Sequence, residues 1–67
     1  MSYIIQLYLY KTLENEKLDT MYEDYIIHVI GTSGLEMLKE AGMLETCGVT
    51  NGRQLYTLVD KRFSELN

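Results

Sequence analysis

The sequence predicts a small, mainly α-helical domain that ends in a C-terminal β-hairpin. Residues 1–67 are expected to form a single domain, because a chain of 67 residues without proline, repeats or a low-complexity linker has little room for two cores. Two segments with apolar residues at helical spacing each end at a glycine, Gly31 and Gly42. Beyond them, Asn51-Gly52 separates two short apolar runs, which is the strongest short-range signal for a hairpin.

The first segment, residues 2–13, fits either a helix or a strand. Ile5, Leu7 and Leu9 alternate as in a strand, and the β-branched and aromatic content favours that choice. Ile5, Leu9 and Leu13 also form one stripe at helical spacing, and no residue in the segment breaks a helix. The balance narrowly favours a helix, which a solvated connector at 14–19 then follows.

Two helices joined by a sharp corner are predicted in the middle of the chain. Thr20 with Glu23 fits a capping box at the start of a helix that runs to Gly31, and Ser33 with Glu36 fits a second one. The apolar faces of the two helices hold Tyr22, Ile26, Val29 and Ile30 in the first and Leu35 and Leu38 in the second. The short connector at 31–33 forces the arrangement of a helix-turn-helix.

The hairpin turn fixes a register for the two strands. With Asn51-Gly52 as a two-residue turn, Thr50 faces Arg53, Gly48 faces Leu55 and Cys47 faces Tyr56. Cys47 is then expected to be a small core or cross-strand residue. The last residues predict a short helix capped by Asp60, with Phe63 and Leu66 pointing inward.

Composition argues against several classes of protein. The longest apolar runs are too short to cross a membrane, and the first residues lack the features of a secretory signal, so a cytoplasmic protein is expected. One cysteine, Cys47, and one histidine, His28, allow no internal disulfide and are too few for a structural zinc site. Without a phosphate loop, a nucleophile motif or paired carboxylates, we expect no enzyme, no cofactor and no small-molecule substrate.

A specific pattern follows the corner. In residues 35–59, two leucines lead to Ala-Gly and a hydrophobic pair, and a Gly-Arg step is followed by a tyrosine and a leucine; these are Leu35, Leu38, Ala41, Gly42, Met43, Leu44, Gly52, Arg53, Tyr56 and Leu58. The pattern resembles the recognition helix and wing of bacterial winged-helix repressors of the arsenic-responsive and multiple-antibiotic-resistance types.

The resemblance implies a winged-helix-like domain, a helix-turn-helix plus a wing. Proteins of this kind lay the second helix of the motif in the major groove of DNA and touch the backbone or minor groove with the wing. By that resemblance, the groove-facing positions are Thr32, Ser33, Glu36 and Lys39, and Arg53 lies at the wing tip. The Cys and His metal ligands of the arsenic-responsive repressors have no counterpart here.

Two functions remain open from the sequence. The first is a small DNA-associated regulatory protein of bacterial, phage or mobile-element type, bound to DNA through Thr32, Ser33, Lys39, Arg53, Lys61 and Arg62. The alternative is a protein-interaction module or a small acidic inhibitor of viral type that binds a partner protein and no DNA, which the net charge of −4 favours. A positive surface around the second helix, Arg53 and the terminal basic pair would indicate DNA, and a neutral or acidic one a protein.

Self-association is also expected, most simply as a homodimer. Tyr3, Ile4, Tyr8 and Tyr10 lie on a segment with apolar residues on nearly every side. A core this small cannot cover all of them, and exposed apolar clusters mark interaction surfaces.

Overall fold

The computed structural model describes residues 3–59, which form two helices and a three-stranded antiparallel sheet. The elements in chain order are α1 (Tyr3–Glu14), β1 (Thr20–Tyr22), α2 (Glu23–Ala41), β2 (Leu44–Thr50) and β3 (Arg53–Leu58). The domain is therefore mixed α/β, with one strand more than the sequence predicts. The predicted last helix with Asp60, Phe63 and Leu66 lies outside the described residues, as do Lys61 and Arg62.

The ambiguous first segment is a helix. Tyr10 and Leu13, three residues apart, are buried in the core, and Leu9 packs against it. Side chains at this spacing lie on one face of a helix, whereas a strand would point Tyr10 and Leu13 to opposite faces. Burial of this stripe against α2 decides between the two periodicities, and the narrow preference for a helix is confirmed.

Strand β1 corrects the prediction of a capping box at Thr20 and Glu23. Thr20, Met21 and Tyr22 pair with Thr57, Tyr56 and Leu55 of β3, and Met21 is buried in the core. Helix α2 begins only at Glu23, and Tyr22 precedes it in an extended conformation without a side-chain cap. Sheet pairing and the burial of Met21 therefore outweigh the local capping pattern.

The predicted corner lies at Gly31, and it is tighter than expected. Gly31 has φ 81° and ψ 167° and is the one residue of α2 with a non-helical backbone. We call residues 32–41, which follow this kink, the second half of α2. Because helical geometry resumes directly after Gly31, Ser33 lies inside the helix, and the prediction that Ser33 caps it is wrong.

Gly42 ends α2 as predicted. Its φ of 78° and ψ of 15° place it in the left-handed region, which only glycine enters without strain. The N–H of Met43 donates to the Leu38 carbonyl at 3.0 Å, and the N–H of Gly42 donates to the Lys39 carbonyl at 3.2 Å. This pair of bonds is a Schellman motif, which satisfies carbonyls at the end of the helix and turns the chain into β2.

The hairpin has its turn at Asn51-Gly52, as predicted. Both residues have positive φ, 56° and 74°, which a type I′ turn requires. Thr50 pairs with Arg53 and Gly48 with Leu55, but a bulge then makes Thr46 the partner of Tyr56. Cys47 is the extra residue of this bulge and is exposed, so the predictions that Cys47 faces Tyr56 or packs in the core are wrong.

One core joins every element. Strand β3 lies between β1 and β2, and both halves of α2 and the second half of α1 pack together with the sheet. The buried apolar side chains are Tyr10, Leu13, Met21, Ile26, Leu35, Leu38, Met43, Leu44 and Tyr56. Within residues 3–59, neither helix has the length and apolar character needed to cross a membrane.

A hydrogen bond from the Tyr25 hydroxyl to the Glu16 carboxylate ties the connector at 15–19 to α2. This bond raises the pKa of Tyr25 above its usual value, and partial burial and the negative charge of Glu16 act in the same direction. The bond therefore stabilises the fold below the ordinary tyrosine pKa, near 10, and its contribution is lost as the pH rises through the raised value. Glu16→Ala should lower the pKa of Tyr25, measured by following its ring resonances in an NMR pH titration. An unchanged titration would contradict this contact.

Candidate nucleic-acid interface

The second half of α2 presents a polar face opposite its buried one. Leu35 and Leu38 point into the core, while Thr32, Glu36 and Lys39 share the exposed face at helical spacing. Thr32 and the neighbouring Ser33 stand at the amino-terminal end of this segment, directly after Gly31, and both are exposed. This face therefore offers two hydroxyl groups and one ammonium group, with carboxylates beside them.

Lys39 is held by its neighbours on two sides. Its Nζ lies 4.0 Å from a Glu36 carboxylate oxygen and 5.5 Å from the centre of the Tyr56 ring, in a cation–π arrangement. The interaction with the Tyr56 side chain raises the pKa of Lys39, and the charge of Glu36 adds to the effect. Lys39 is therefore cationic at neutral pH, but part of its charge is balanced within the chain.

Arg53 is held more closely. Its Nη2 lies 3.1 Å from a carboxylate oxygen of Asp24, and its guanidinium stacks over the Tyr22 ring with 4.1 Å to the ring centre. Tyr22 pairs with Leu55 across the sheet, and Arg53 lies two residues away on the same face of β3. The arginine beside the turn is thus folded back onto the start of α2, while about half of its side chain remains exposed to solvent.

The network around the start of α2 connects the two basic side chains. The Tyr56 hydroxyl donates to Glu23 at 3.3 Å, and Glu23 precedes Asp24 in the first turn of α2. Lys39 is thus linked to the start of α2 through Tyr56, and Arg53 is linked to the same place through Asp24. Within the described part of the chain, no hydrogen bond joins Thr32 or Ser33 to either of them.

Sequence patterns do not indicate the partners of Arg53. Asp24 is 29 positions away along the chain, and the sequence places Tyr22 on the buried face of a helix that in fact begins one residue later. The contact exists because β1 brings Tyr22 beside β3. Only a prediction of β1 could have placed the two side chains together.

Carboxylates outnumber cations on this surface. Glu36 and Glu40 lie exposed on the second half of α2 with Lys39, and Asp24 neutralises Arg53. The local balance follows the net charge of −4 of the whole chain. A polyanion that approached here would meet cations that are already engaged, so it would have to displace carboxylates from them.

The two possible soft metal ligands both lie at the surface. Cys47 is exposed in the bulge of β2, and His28 is exposed on α2. Among residues 3–59, no three His, Cys, Asp or Glu side chains come close enough together to hold a metal ion.

The predicted self-association residues do not share one face of α1. Ile4 and Tyr8 are exposed, together with Ile5. Tyr10 is instead buried in the core beside Leu13, so its assignment to an outer surface is wrong. The Tyr3 side chain lies outside what the structure describes.

No protein-family model matches the sequence, and no curated protein or solved structure is significantly similar to the chain.

Proposed function

We propose that this chain is a small DNA-associated regulatory protein of winged-helix-like architecture. The observation that carries the proposal is the order of the elements. A helix and the short strand β1 are followed by two helical segments around Gly31 and by a hairpin. The second strand of the hairpin, β3, also pairs with β1. This arrangement supports a helix-turn-helix whose second helix is flanked by a wing, the geometry with which such domains enter the major groove.

The side chains of the second half of α2 supply the chemistry for contact with base edges. Thr32 and Ser33 stand at its amino-terminal end, where recognition helices approach the bases, and their hydroxyls both donate and accept hydrogen bonds. Lys39 follows two turns later and provides a cation for phosphate. Glu36 lies between Ser33 and Lys39 along the helix, and its negative charge repels phosphate. It therefore lowers the affinity of this surface for DNA.

Arg53 would bind phosphate by exchanging partners. Its ion pair with Asp24 is solvent-exposed, and such pairs contribute only about 0–1 kcal/mol, so a phosphate can displace the carboxylate at little cost. The stacking on Tyr22 does not involve Asp24 and would keep the guanidinium close to the hairpin during the exchange. Asp24 is thereby an internal competitor of DNA for the wing arginine.

A salt titration of DNA affinity tests this proposal. Binding to a mixed-sequence duplex, measured by fluorescence anisotropy between about 50 and 200 mM salt, should weaken steeply as salt rises. Arg53→Ala should weaken binding to all sequences and lower the log–log slope by roughly 0.9 for each phosphate that the variant no longer neutralises. Lys11→Ala is the matched control, because it removes a cation from α1, which holds none of the residues proposed to contact DNA, and it should leave the slope unchanged.

Removal of a carboxylate from this surface should have the opposite effect and increase the affinity for DNA. Asp24→Asn should tighten DNA binding by up to about fivefold, the factor that corresponds to a surface ion pair of at most about 1 kcal/mol. Glu36→Gln should tighten binding as well, because it removes a negative charge next to phosphate. The proposal is overturned if the wild type does not bind at about 50 mM salt, or if Arg53→Ala and Lys11→Ala have equal effects.

The charge of the surface favours a second candidate function, a module that binds a protein partner. The exposed face of the second half of α2 carries Glu36 and Glu40 against Lys39, and Arg53 is neutralised by Asp24. Such a surface is complementary to a basic patch on another protein rather than to DNA. If this second function is correct, neither the wild type nor Asp24→Asn binds DNA at low salt. This result distinguishes a protein-binding module from a DNA-binding protein.

A further inference from the structure

We infer that the outer face of α1 is a dimer interface whose occupant is a second copy of this chain. The face consists of Ile4, Ile5 and Tyr8, which are 74%, 44% and 70% exposed. Ile4 and Tyr8 are four residues apart and Ile5 and Tyr8 three, so the three side chains form one patch on the helix. The inference does not depend on DNA binding, since the patch is distinct from the second half of α2 and the hairpin.

Two polar side chains near this patch, Thr12 and Lys11, are paired within α1. The Thr12 hydroxyl donates to the Tyr8 carbonyl at 2.9 Å, and the Lys11 ammonium contacts Glu14 at 3.2 Å. Burial of the patch would leave the Thr12 and Lys11 contacts in place, and it would remove three large apolar side chains from water. Each such side chain, when fully buried, contributes about 1.5–3 kcal/mol before the costs of association.

Electrostatics favours a second copy at this place. Each chain carries a net charge of −4, so two copies repel each other across most surfaces. The first eight residues of α1, from Tyr3 to Tyr10, contain no charged side chain, and two copies can meet there without opposing like charges. In a two-fold dimer whose axis passes near Tyr8 perpendicular to α1, the two helices would run antiparallel, which also aligns their dipoles favourably.

The size of the patch sets the strength of the dimer. A stable interface buries roughly 800 Å² per partner, about a fifth of the 4316 Å² accessible surface of the described chain. Three side chains on one helix expose less than this area, which is typical of weak, transient association. We therefore expect dissociation in the micromolar range, on the order of 10–100 µM.

Sedimentation equilibrium between about 1 and 500 µM tests the inference on the full chain. The wild type should shift from a mass of 7.8 kDa toward twice that value as the concentration rises. Tyr8→Glu should raise the dissociation constant at least about tenfold, because a carboxylate would face its own copy across the two-fold axis. Val49→Glu is the matched control: Val49 is 66% exposed on β2, and this substitution should leave dimerisation unchanged.

Ile4→Glu provides a second variant in case Tyr8→Glu disturbs folding, since an acidic residue in the first turn of a helix is compatible with its dipole. Far-UV circular dichroism identifies the variants that remain folded. A wild type that stays at 7.8 kDa at about 500 µM overturns the inference, as does a dimer that Tyr8→Glu, Ile4→Glu and Val49→Glu affect equally.

Discussion

Leu38→Ala is expected to lower the free energy of unfolding by about 2–5 kcal/mol, the range for a leucine removed from a core that cannot close around the cavity. Leu38 is fully buried, and its carbonyl accepts the Met43 N–H in the turn that ends α2. A domain of this size has a total stability of only about 3–10 kcal/mol. The variant should therefore lose a large share of the total stability, which urea denaturation followed by circular dichroism would measure.

Glu40→Ala is the control for this prediction. Glu40 lies two residues further along the same helix but is exposed, so its replacement should change the stability by no more than about 0.5 kcal/mol. If Leu38→Ala were as stable as Glu40→Ala, the second half of α2 would not be packed on the core, and the position of the proposed recognition surface would be wrong.

Gly31→Ala is expected to destabilise the domain by about 1–3 kcal/mol through the backbone alone. A Cβ at this position would meet no atom within 4 Å, so no steric contact with the rest of the fold opposes the substitution. The conformation itself, φ 81° and ψ 167°, lies in a region that is essentially restricted to glycine. Alanine would either bear this strain or straighten the corner and separate the two halves of α2 from their present packing.

Thr32→Ala is the control for this prediction, because it replaces the residue next to the corner without changing Gly31. Thr32 is exposed and helical, so this variant should keep the stability of the wild type while it removes one of the proposed DNA-contacting hydroxyls. Thermal denaturation of both variants gives the comparison. An unchanged melting temperature for Gly31→Ala would mean that the corner is not fixed at this residue.

Local chemistry makes part of the fold predictable. Asn51-Gly52 needs only its own two residues to form a type I′ turn, and Gly42 ends α2 through bonds that span a single helical turn. Leu35 and Leu38 are correctly assigned to the core because helical spacing alone groups them. In each case the physical cause lies within a few residues of the observed feature.

Features that depend on partners far away along the chain cannot be predicted from local sequence patterns. Strand β1 exists because β3, more than thirty residues later, supplies its hydrogen-bond partners, whereas the same residues in isolation fit a helix cap. The bulge at Cys47 shifts the register in the middle of a hairpin whose turn is correctly predicted. The ion pair of Arg53 with Asp24 depends on both β1 and the hairpin, so no local pattern could have indicated it.

The central claim is that the second half of α2 and the hairpin bind DNA together, with Arg53 exchanging Asp24 for phosphate. NMR titration of the ¹⁵N-labelled chain with a mixed-sequence duplex at low salt tests it most directly. We expect the largest chemical-shift changes at Thr32, Ser33 and Lys39 and at the side-chain Nε–H of Arg53, with little change along α1. A spectrum that DNA leaves unaltered, or changes confined to α1, would contradict the claim and leave a protein partner as the better explanation of this acidic surface.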